Sequence, residues 1–516
     1  MEAKATKISL TQQEAKLSRV LLEVAHCVDE SKKTKQRLEL RFAGGWVRDK
    51  LLGIPSNDID IAINVMTGYE FALEMKEYVA STEHLMRLDI EPKDVGNLHK
   101  IAANPDKSKH LETATVKILG FDIDFVNLRK ETYSSDSRTP QMQFGTARED
   151  ALRRDATINA LFYNLHTNEV EDFAGGLSDM QSKLIRTPLE PHQTFMDDPL
   201  RVLRLIRFAS RLNFTIDASS EVAMQDVEVR HALKLKISRE RVGTEFSKML
   251  KAQNPKSALD MFNRLELYAI IFTDPTAERI PEPCTRRWHC AYDCLDVLSN
   301  NESPKSIYQV LVRTDKELAW LLASLAPWFD TKDLPPSKTG RTSLPYAARV
   351  AREGIKQSNR VCDFVTGAFR HFEEIIKFKD AIVTRQAFTR QPDVLGMAIR
   401  RWDEQGGQWR IQVVLAILVE AMTSDVSAGY DTIFQGWQNF LDRLEEMGVM
   451  DAPHRKRLVD GKQLATALNA KPGVWMKPAI DMCMAWQFRN PRAIDPTGAI
   501  VEVKSRAGEL QIPVSS

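Results

Sequence analysis

Arg41-Phe42-Ala43-Gly44-Gly45-Trp46-Val47-Arg48-Asp49, followed shortly by Asp58-Ile59-Asp60, decides how the first part of this chain reads. Leu38–Phe42 predicts a short strand that enters a glycine turn. At Gly44-Gly45 the backbone can approach a phosphate closely, and Arg48 adds positive charge. Asp58–Val65 predicts the next strand. Residues i and i+2 of a strand face the same way, so Asp58 and Asp60 project together while Ile59 and Ile61 pack on the other side. Two such carboxylates repel unless a cation sits between them. Mg²⁺ prefers these oxygens and keeps waters that a phosphate can replace. A lone Gly-Gly is usually only a turn, and a lone Asp-x-Asp only an acidic surface. The joined order of strand, glycine turn, helix and Asp-x-Asp strand is more specific, because phosphoryl transfer needs both parts.

Working outward, Thr113–Leu119 and Phe121–Leu128 read as further strands. The second carries Asp122 and Asp124, which repeat the same-side pattern. A two-metal site needs a third carboxylate on a neighbouring strand, and Asp124 is the choice, with Asp122 as the alternate. Val95–Lys109 is polar and reads as loop, and so does Tyr133–Phe144, with Ser134, Ser135, Ser137 and Pro140. From about Asp197 the pattern turns helical: Pro199–Leu212 has apolar residues at helical spacing, and Ser238–Leu250 opens on a capping serine. Lys332–Ser343 reads as a linker.

The bulk properties set limits. A chain of 516 residues implies two to four domains, and 43% hydrophobic residues are enough to build packed cores. Lys+Arg (71) nearly cancels Asp+Glu (70), so any nucleic-acid site must come from local clustering of charge. Six cysteines make no disulfide scaffold. Cys284, Cys290 and Cys294 surround His289 without the closely spaced pair of a zinc site, so they read as small apolar residues on a helix. No stretch has the length of a membrane-spanning helix. The first residues carry Glu2 and no arginine before Arg19, a poor mitochondrial presequence, so cytoplasm and nucleus are expected, with a mitochondrial form allowed.

Two further blocks carry chemistry. In Arg153-Arg154-Asp155-Ala-Thr-Ile-Asn159, the arginines suit phosphates, and Asp155 and Asn159 can hold a ribose hydroxyl. In Asp197-Asp198-Pro199-Leu200-Arg201-Val-Leu-Arg204, Asp198 is a good N-cap and can share a helix face with Arg201. A carboxylate only accepts hydrogen bonds and a guanidinium only donates. Cytosine and adenine each present an amino donor beside a ring-nitrogen acceptor, whereas uracil and guanine present the reverse. An Asp/Arg pair therefore suits C and A, and a mismatch costs on the order of several kcal/mol for two unsatisfied groups. Two more segments read as structural: Asp172-x3-Gly176-x9-Arg186 as a connector, and Ser238–Lys248 as a helix with internal ion pairs and some basic surface.

These blocks, in this order from Leu38 to about Leu250, resemble the bacterial and eukaryotic class of tRNA nucleotidyltransferases, the CCA-adding enzymes. Asp197 stands where the family's base-reading motif has Glu. Asp136–Pro140 with Phe144–Asp150 resembles the eukaryotic branch, and the family's flexible loop lies here, with Arg138 and Pro140. Lys471–Trp475 resembles the family's C-terminal tRNA-binding region.

The resemblance implies an α/β head of polymerase-β-like nucleotidyltransferase fold followed by an all-α neck, body and tail. Their expected spans are residues 1–180, 181–275 and 276–516, the last covering body and tail. It implies template-independent addition of C, C and A to tRNA from CTP and ATP, with pyrophosphate released and two Mg²⁺ held by Asp58 and Asp60. Gly44, Gly45, Arg48, Arg154, Asp155, Asn159, Asp198, Arg201 and Arg204 would bind the nucleotide, and Asp58, Asp60 and Asp124 would serve catalysis. The expected partner is tRNA, bound at its 3′ end and acceptor/T arm by a monomer. Arg400-Arg401 and Arg455-Lys456-Arg457 are candidate basic patches. Rival readings are a CC-only or A-only enzyme, a related poly(A) polymerase, and an inactive RNA-binding protein. No His-Asp dipeptide occurs, so an appended phosphohydrolase of that type is not expected.

Overall fold

A mixed sheet dominates the first of two compact units, Met1–Arg241 and Val242–Ser516. The computed structural model describes residues 7–101, 113–132, 141–331, 344–404 and 408–513. The sheet strands are β1 (Leu40–Ala43), β2 (Asp58–Ile63), β3 (His99–Ile101), β4 (Thr113–Ile118), β5 (Phe121–Asn127), β8 (Leu161–Asn164) and β9 (Glu169–Asp172). Between the last two groups, β6 (Arg129–Thr132) and β7 (Gln141–Phe144) form a separate antiparallel pair. The sheet order is β3-β4-β5-β2-β1-β8-β9. Only β2 and β5 run parallel among its neighbours, with Asp58 opposite Asp122 and Asp60 opposite Asp124.

One face of the sheet is covered by α1 (Gln12–Glu30), α3 (Gly68–Val79) and α4 (Thr82–Leu88), with α2 (Gly45–Leu51) following β1. Thr11 and Thr67 open α1 and α3 with capping boxes, each exchanging bonds with a glutamate three residues on. Leu17, Leu21 and Val24 of α1, and Phe71 and Met75 of α3, meet Ile59, Ile61, Ile123 and Phe125 of the central strands. Each such fully buried side chain contributes about 1.5–3 kcal/mol. This packing commits the odd-numbered residues of β2 and β5 to the core. Asp58, Asp60, Asp122 and Asp124 are thereby sent to the opposite face.

That opposite face holds a smaller apolar layer of Ala43, Ala62, Leu128, Ala151, Ala160 and Phe162. Next come α5 (Ala147–Leu152), α6 (Gly176–Gln181), α7 (Pro191–Asp197) and α8 (Leu200–Leu212). A short parallel pair, Leu184–Ile185 with Thr215–Ile216, ties the start of this helical part to its middle.

The second unit is helical. Its core is rich in tryptophan: Trp288, Trp320, Trp328, Trp402, Trp409 and Trp437 are all buried. Trp475 is buried in a separate cluster with Leu464, Ala479 and Val503, while Val474 beside it is almost fully exposed. Cys290 and Cys294 are buried on the helix Trp288–Ser299, as expected for small apolar residues, and Cys284 is exposed. No helix among the described residues is long and apolar enough to cross a membrane.

The strands expected from sequence are present to within two residues. Two loops are not entirely loops. His99–Ile101 pairs with β4, and Gln141–Phe144 pairs with β6. Both are short polar strands that gain definition from a partner strand and not from their own apolar pattern. The linker Lys332–Ser343, Arg138 and Pro140 lie outside the described residues.

Candidate active site

The turn from β1 into α2 is built on Gly44. Its φ is +66°, and a Cβ there would stand 2.6 Å from Arg154 Nη1. The positive φ favours glycine, and a side chain there would push the Arg154 guanidinium aside. The Gly44 amide donates to Leu161 O at 2.9 Å, which ties the turn to the sheet. Of the two glycines, Gly45 lines the cavity described next.

Over the polar face of the sheet lies a cavity of about 1040 Å³, lined by Gly45, Asp58, Asp60, Asp155, Asn159, Asp198 and Arg201, among others. Its wall carries more guanidinium than carboxylate groups, including Arg48, Arg154, Arg204, Arg207 and Arg211. Such a lining suits a polyanion. Asp58 is exposed and Asp60 half-buried. Burial pushes the Asp60 carboxyl above the usual range, the Arg154 charge pulls it down, and Asp58 raises it again. Two hard oxygen donors on one strand face, one of them burdened by its like-charged neighbour, fit a divalent cation. Asp124 stands beside Asp60 in the parallel register, whereas Asp122 is exposed and 3.8 Å from Lys117 Nζ. In the same register Asp122 stands beside Asp58, and neither Asp122 nor Asp124 is among the residues that line the cavity.

Asp155 and Asn159 are both buried, at the two ends of a stretch that holds a single 3-10 turn, Thr157–Asn159. Asn159 Nδ2 donates to Asp155 Oδ1 at 3.0 Å, and Arg204 Nε donates to Asp155 Oδ2 at 2.5 Å. Burial alone would raise the Asp155 carboxyl. The Arg204 charge and the bonds from Asn159 and Arg204 hold it well below the usual carboxylate range. Arg48 is buried and pairs with Asp49 and with the Asn159 side-chain oxygen. Arg211 reaches the other Asp49 oxygen at 3.1 Å. Phe208 lies under the guanidinium groups of Arg48, Arg204 and Arg207, at 5.5, 5.6 and 4.2 Å from the ring centroid.

The connector residues brace this turn. Asp172 accepts the amides of Ala174, Gly175, Gly176 and Leu177 at 2.8–3.2 Å. Gly176 packs so closely that a Cβ would stand 2.3 Å from Thr157 O. Thr157 in turn donates from its hydroxyl to Asp179 and from its amide to Arg186 O. Arg186 also pairs with Asp179 and Asp217. The connector thus fixes the Asp155–Asn159 segment from behind.

Asp198 and Arg201 line the same cavity and are held by different partners. Arg201 is buried and donates to Arg153 O at 2.7 Å and to Thr194 O at 3.5 Å. Asp198 Oδ1 accepts the Leu200 amide at 3.2 Å, and the cap position of α8 falls to Pro199, one residue after the N-cap expected from sequence. Asp198 Oδ2 pairs with Arg241 at 3.3 Å. The sequence reading placed Arg241 among ion pairs internal to its own helix. Arg241 reaches across to Asp198, while Glu245 pairs with Lys248 at 3.5 Å within the helix.

A second feature the sequence reading missed is the buried charge cluster at Asp150. This carboxylate accepts from the Arg129 amide and the Arg153 and Arg154 side chains, and Glu131 accepts from Arg129 and Arg153. The spacing of Asp150 three and four residues before two arginines was a signal for it. In the second unit, Arg400 donates to the carbonyls of Ala452, Pro453 and Arg455, and Arg401 pairs with Glu374. Those two arginines are therefore braces and not a free basic patch. Lys456 and Arg457 are exposed.

The comparisons with known proteins agree with this layout. Residues 40–186 match the poly A polymerase head domain, and residues 213–279 match the probable RNA- and SrmB-binding site of polymerase A. A nucleotidyltransferase, lcsQ, of Purpureocillium lilacinum is 48% identical, over 99% of this chain and 94% of that protein. The mitochondrial CCA tRNA nucleotidyltransferase of Candida glabrata is 37% identical, over 95% of this chain and 94% of its own length. The fold is also that of the Thermotoga maritima CCA-adding enzyme, solved in complex with tRNA. There the TM-score is 0.61 at 18% identity, covering 98% of this chain and 99% of that one.

Proposed function

The chain belongs to the CCA tRNA nucleotidyltransferase family, and from that premise we propose that it adds C, C and A to the 3′ end of tRNA, taking the nucleotides from CTP and ATP without a nucleic-acid template. The observation that carries this reading is the single cavity lined by Asp58, Asp60, Asp198 and Arg201. Metal-holding carboxylates and a base-reading pair face one nucleotide-sized space. The reading divides the chain into a head over residues 1–180, a neck over 181–275, and a body and tail beyond, which would hold the tRNA acceptor and T arm as a monomer. It places the enzyme in cytoplasm and nucleus, with a mitochondrial form as in the Candida relative.

In the reaction, the tRNA 3′ hydroxyl gives up its proton to solvent as its oxygen bonds to the α-phosphorus, the bond from α-phosphorus to the bridging oxygen breaks, and pyrophosphate leaves. Asp58 and Asp60 would hold Mg²⁺, with Asp124 beside them as the third carboxylate. When bound, Mg²⁺ supplies charge that favours the ionised 3′ oxygen and the departing pyrophosphate. The chain's own residues do the rest. Gly45, Arg48 and Arg154 would receive the triphosphate, and Asp155 with Asn159 would hold the ribose. Asp198 would accept the amino hydrogen of C or A while Arg201 donates to the ring nitrogen. Uracil and guanine would set acceptor against acceptor and donor against donor, leaving buried groups unpaired.

The test is an extension assay. A tRNA transcript ending at the discriminator base is incubated with Mg²⁺, CTP and ATP, and the 3′ ends are sequenced. Products ending in CCA are expected. A stop at CC, or addition of A only to CC-ended tRNA, would assign a partial activity. Long A tails would make it a poly(A) polymerase, and no extension would leave an RNA-binding protein.

A further inference from the structure

We infer that Arg241 is a positioning residue for base selection, holding the Asp198 carboxylate at the angle from which it meets the incoming base. This inference rests on the reading of Asp198 and Arg201 as the base-contacting pair. The two halves of that pair are secured in different ways. Arg201 is buried against two main-chain carbonyls, Arg153 O and Thr194 O, whose places are set by the backbone. Asp198 has one main-chain partner, the Leu200 amide on Oδ1, and that bond leaves the carboxylate free to turn about its side-chain axis. Among the described residues, its second oxygen is held by Arg241, at 3.3 Å.

A carboxylate accepts best near its own plane, so a turned Asp198 would offer its face and not a lone pair to the base amino group. Arg241 is well placed to prevent this. It lies in the first turn of the helix Arg239–Leu250, where its amide is capped by Ser238 Oγ at 3.4 Å, and its side chain lines the same cavity. About a third of each side chain, 31% of Arg241 and 28% of Asp198, is open to solvent. A partly exposed ion pair of this kind adds little to stability. Its contribution is orientation, and removing Arg241 should be felt in the choice of base before it is felt in folding.

The experiment measures addition of CMP and UMP by the full-length enzyme to tRNA ending at the discriminator base, with wild type, Arg241→Ala, Arg241→Lys and Asp198→Ala. Arg241→Ala should lower the preference for CTP over UTP about tenfold, the effect of one charge-assisted hydrogen bond. The defect in CTP addition should sit in KM more than in kcat, and Arg241→Lys should recover most of the preference. Equal slowing of CMP and UMP addition by Arg241→Ala, with the preference unchanged, would overturn the role of Arg241 while leaving the base-reading pair intact. An unchanged preference in Asp198→Ala would overturn the base-reading pair and Arg241 together. If Arg241→Ala fails to fold, Arg241→Lys carries the test: it should keep a clear preference for CTP, and loss of that preference in a folded Lys variant would count against charge-based positioning.

Discussion

Arg201 Nη2 donates to the main-chain carbonyl oxygen of Arg153 at 2.7 Å, so the residue proposed to read the base is anchored to the segment proposed to hold the ribose. The anchoring leaves the guanidinium no freedom to follow a different base edge. Arg201→Ala should therefore lower discrimination against UTP and GTP by about a hundredfold or more, or lose addition of C and A together. Competition assays with all four nucleotides check this, and unchanged selection would refute a protein template.

Asp58 projects from β2 into the cavity with no ion-pair partner among the described residues, while Asp60 is half-buried and feels the Arg154 charge. Asp58→Ala should cut nucleotide transfer by roughly 10³-fold, the scale of losing a preorganised charge contact at the reacting centre. Gel-shift affinity for tRNA should stay close to the wild type, because removing one carboxylate takes away no positive group that could pair with an RNA phosphate. Calorimetric titration with Mn²⁺ gives an independent reading, with binding lost in the variant. Normal turnover would remove Asp58 from the metal site.

Much of this site was legible in the sequence because strand geometry ties residue parity to direction. Once Ile59 and Ile61 are assigned to the core, Asp58 and Asp60 have nowhere else to point. The parallel register that sets Asp124 beside Asp60 was not legible, because strand pairing is decided by the whole sheet and several helices and strands intervene between β2 and β5. Arg241 was misassigned for a related reason. Periodicity places a residue on its helix, but not the element that the helix faces. The polar strand Gln141–Phe144 was hidden by the serine- and proline-rich residues before it. The buried cluster at Asp150 could have been read from spacing, yet three arginines near one aspartate look the same on a solvated helix.

Asp150 is buried, and burial alone would raise its carboxyl. The charges of Arg154 and Arg153, and the hydrogen bond from Arg153, instead hold it below the usual range. A carboxyl whose folded pKa is depressed contributes stability that is fully present above the unfolded value of about 3.9 and is lost as pH falls through the lower folded value. Stability should thus be flat in this respect at neutral pH and decline below about pH 4. Asp150→Asn should cost about 3 kcal/mol at pH 7, because the half-buried Arg129, Arg153 and Arg154 lose their buried counter-charge. The gap to the wild type should narrow as pH falls toward the acid limit. Urea unfolding midpoints at several pH values between neutral and acid check both the size and the sign, and a gap that widens on acidification would contradict the account.

Gly44 couples the turn to Arg154 by sheer lack of space. Gly44→Ala should cost roughly 1–2 kcal/mol for an L residue held at positive φ. The added methyl would also meet Arg154 Nη1 at 2.6 Å, and so displace the guanidinium from Asn159 O, to which it now donates at 3.1 Å. Because Arg154 is a long side chain, it can swing away more easily than the backbone can move, and the unit should remain folded. The functional loss should then exceed the loss of stability: KM for both CTP and ATP should rise together, with the preference between them unchanged, since the turn is proposed to receive phosphates and not bases. Steady-state kinetics set beside thermal unfolding separate these effects. A variant with wild-type KM values and a lowered melting temperature would show that the turn serves the fold alone.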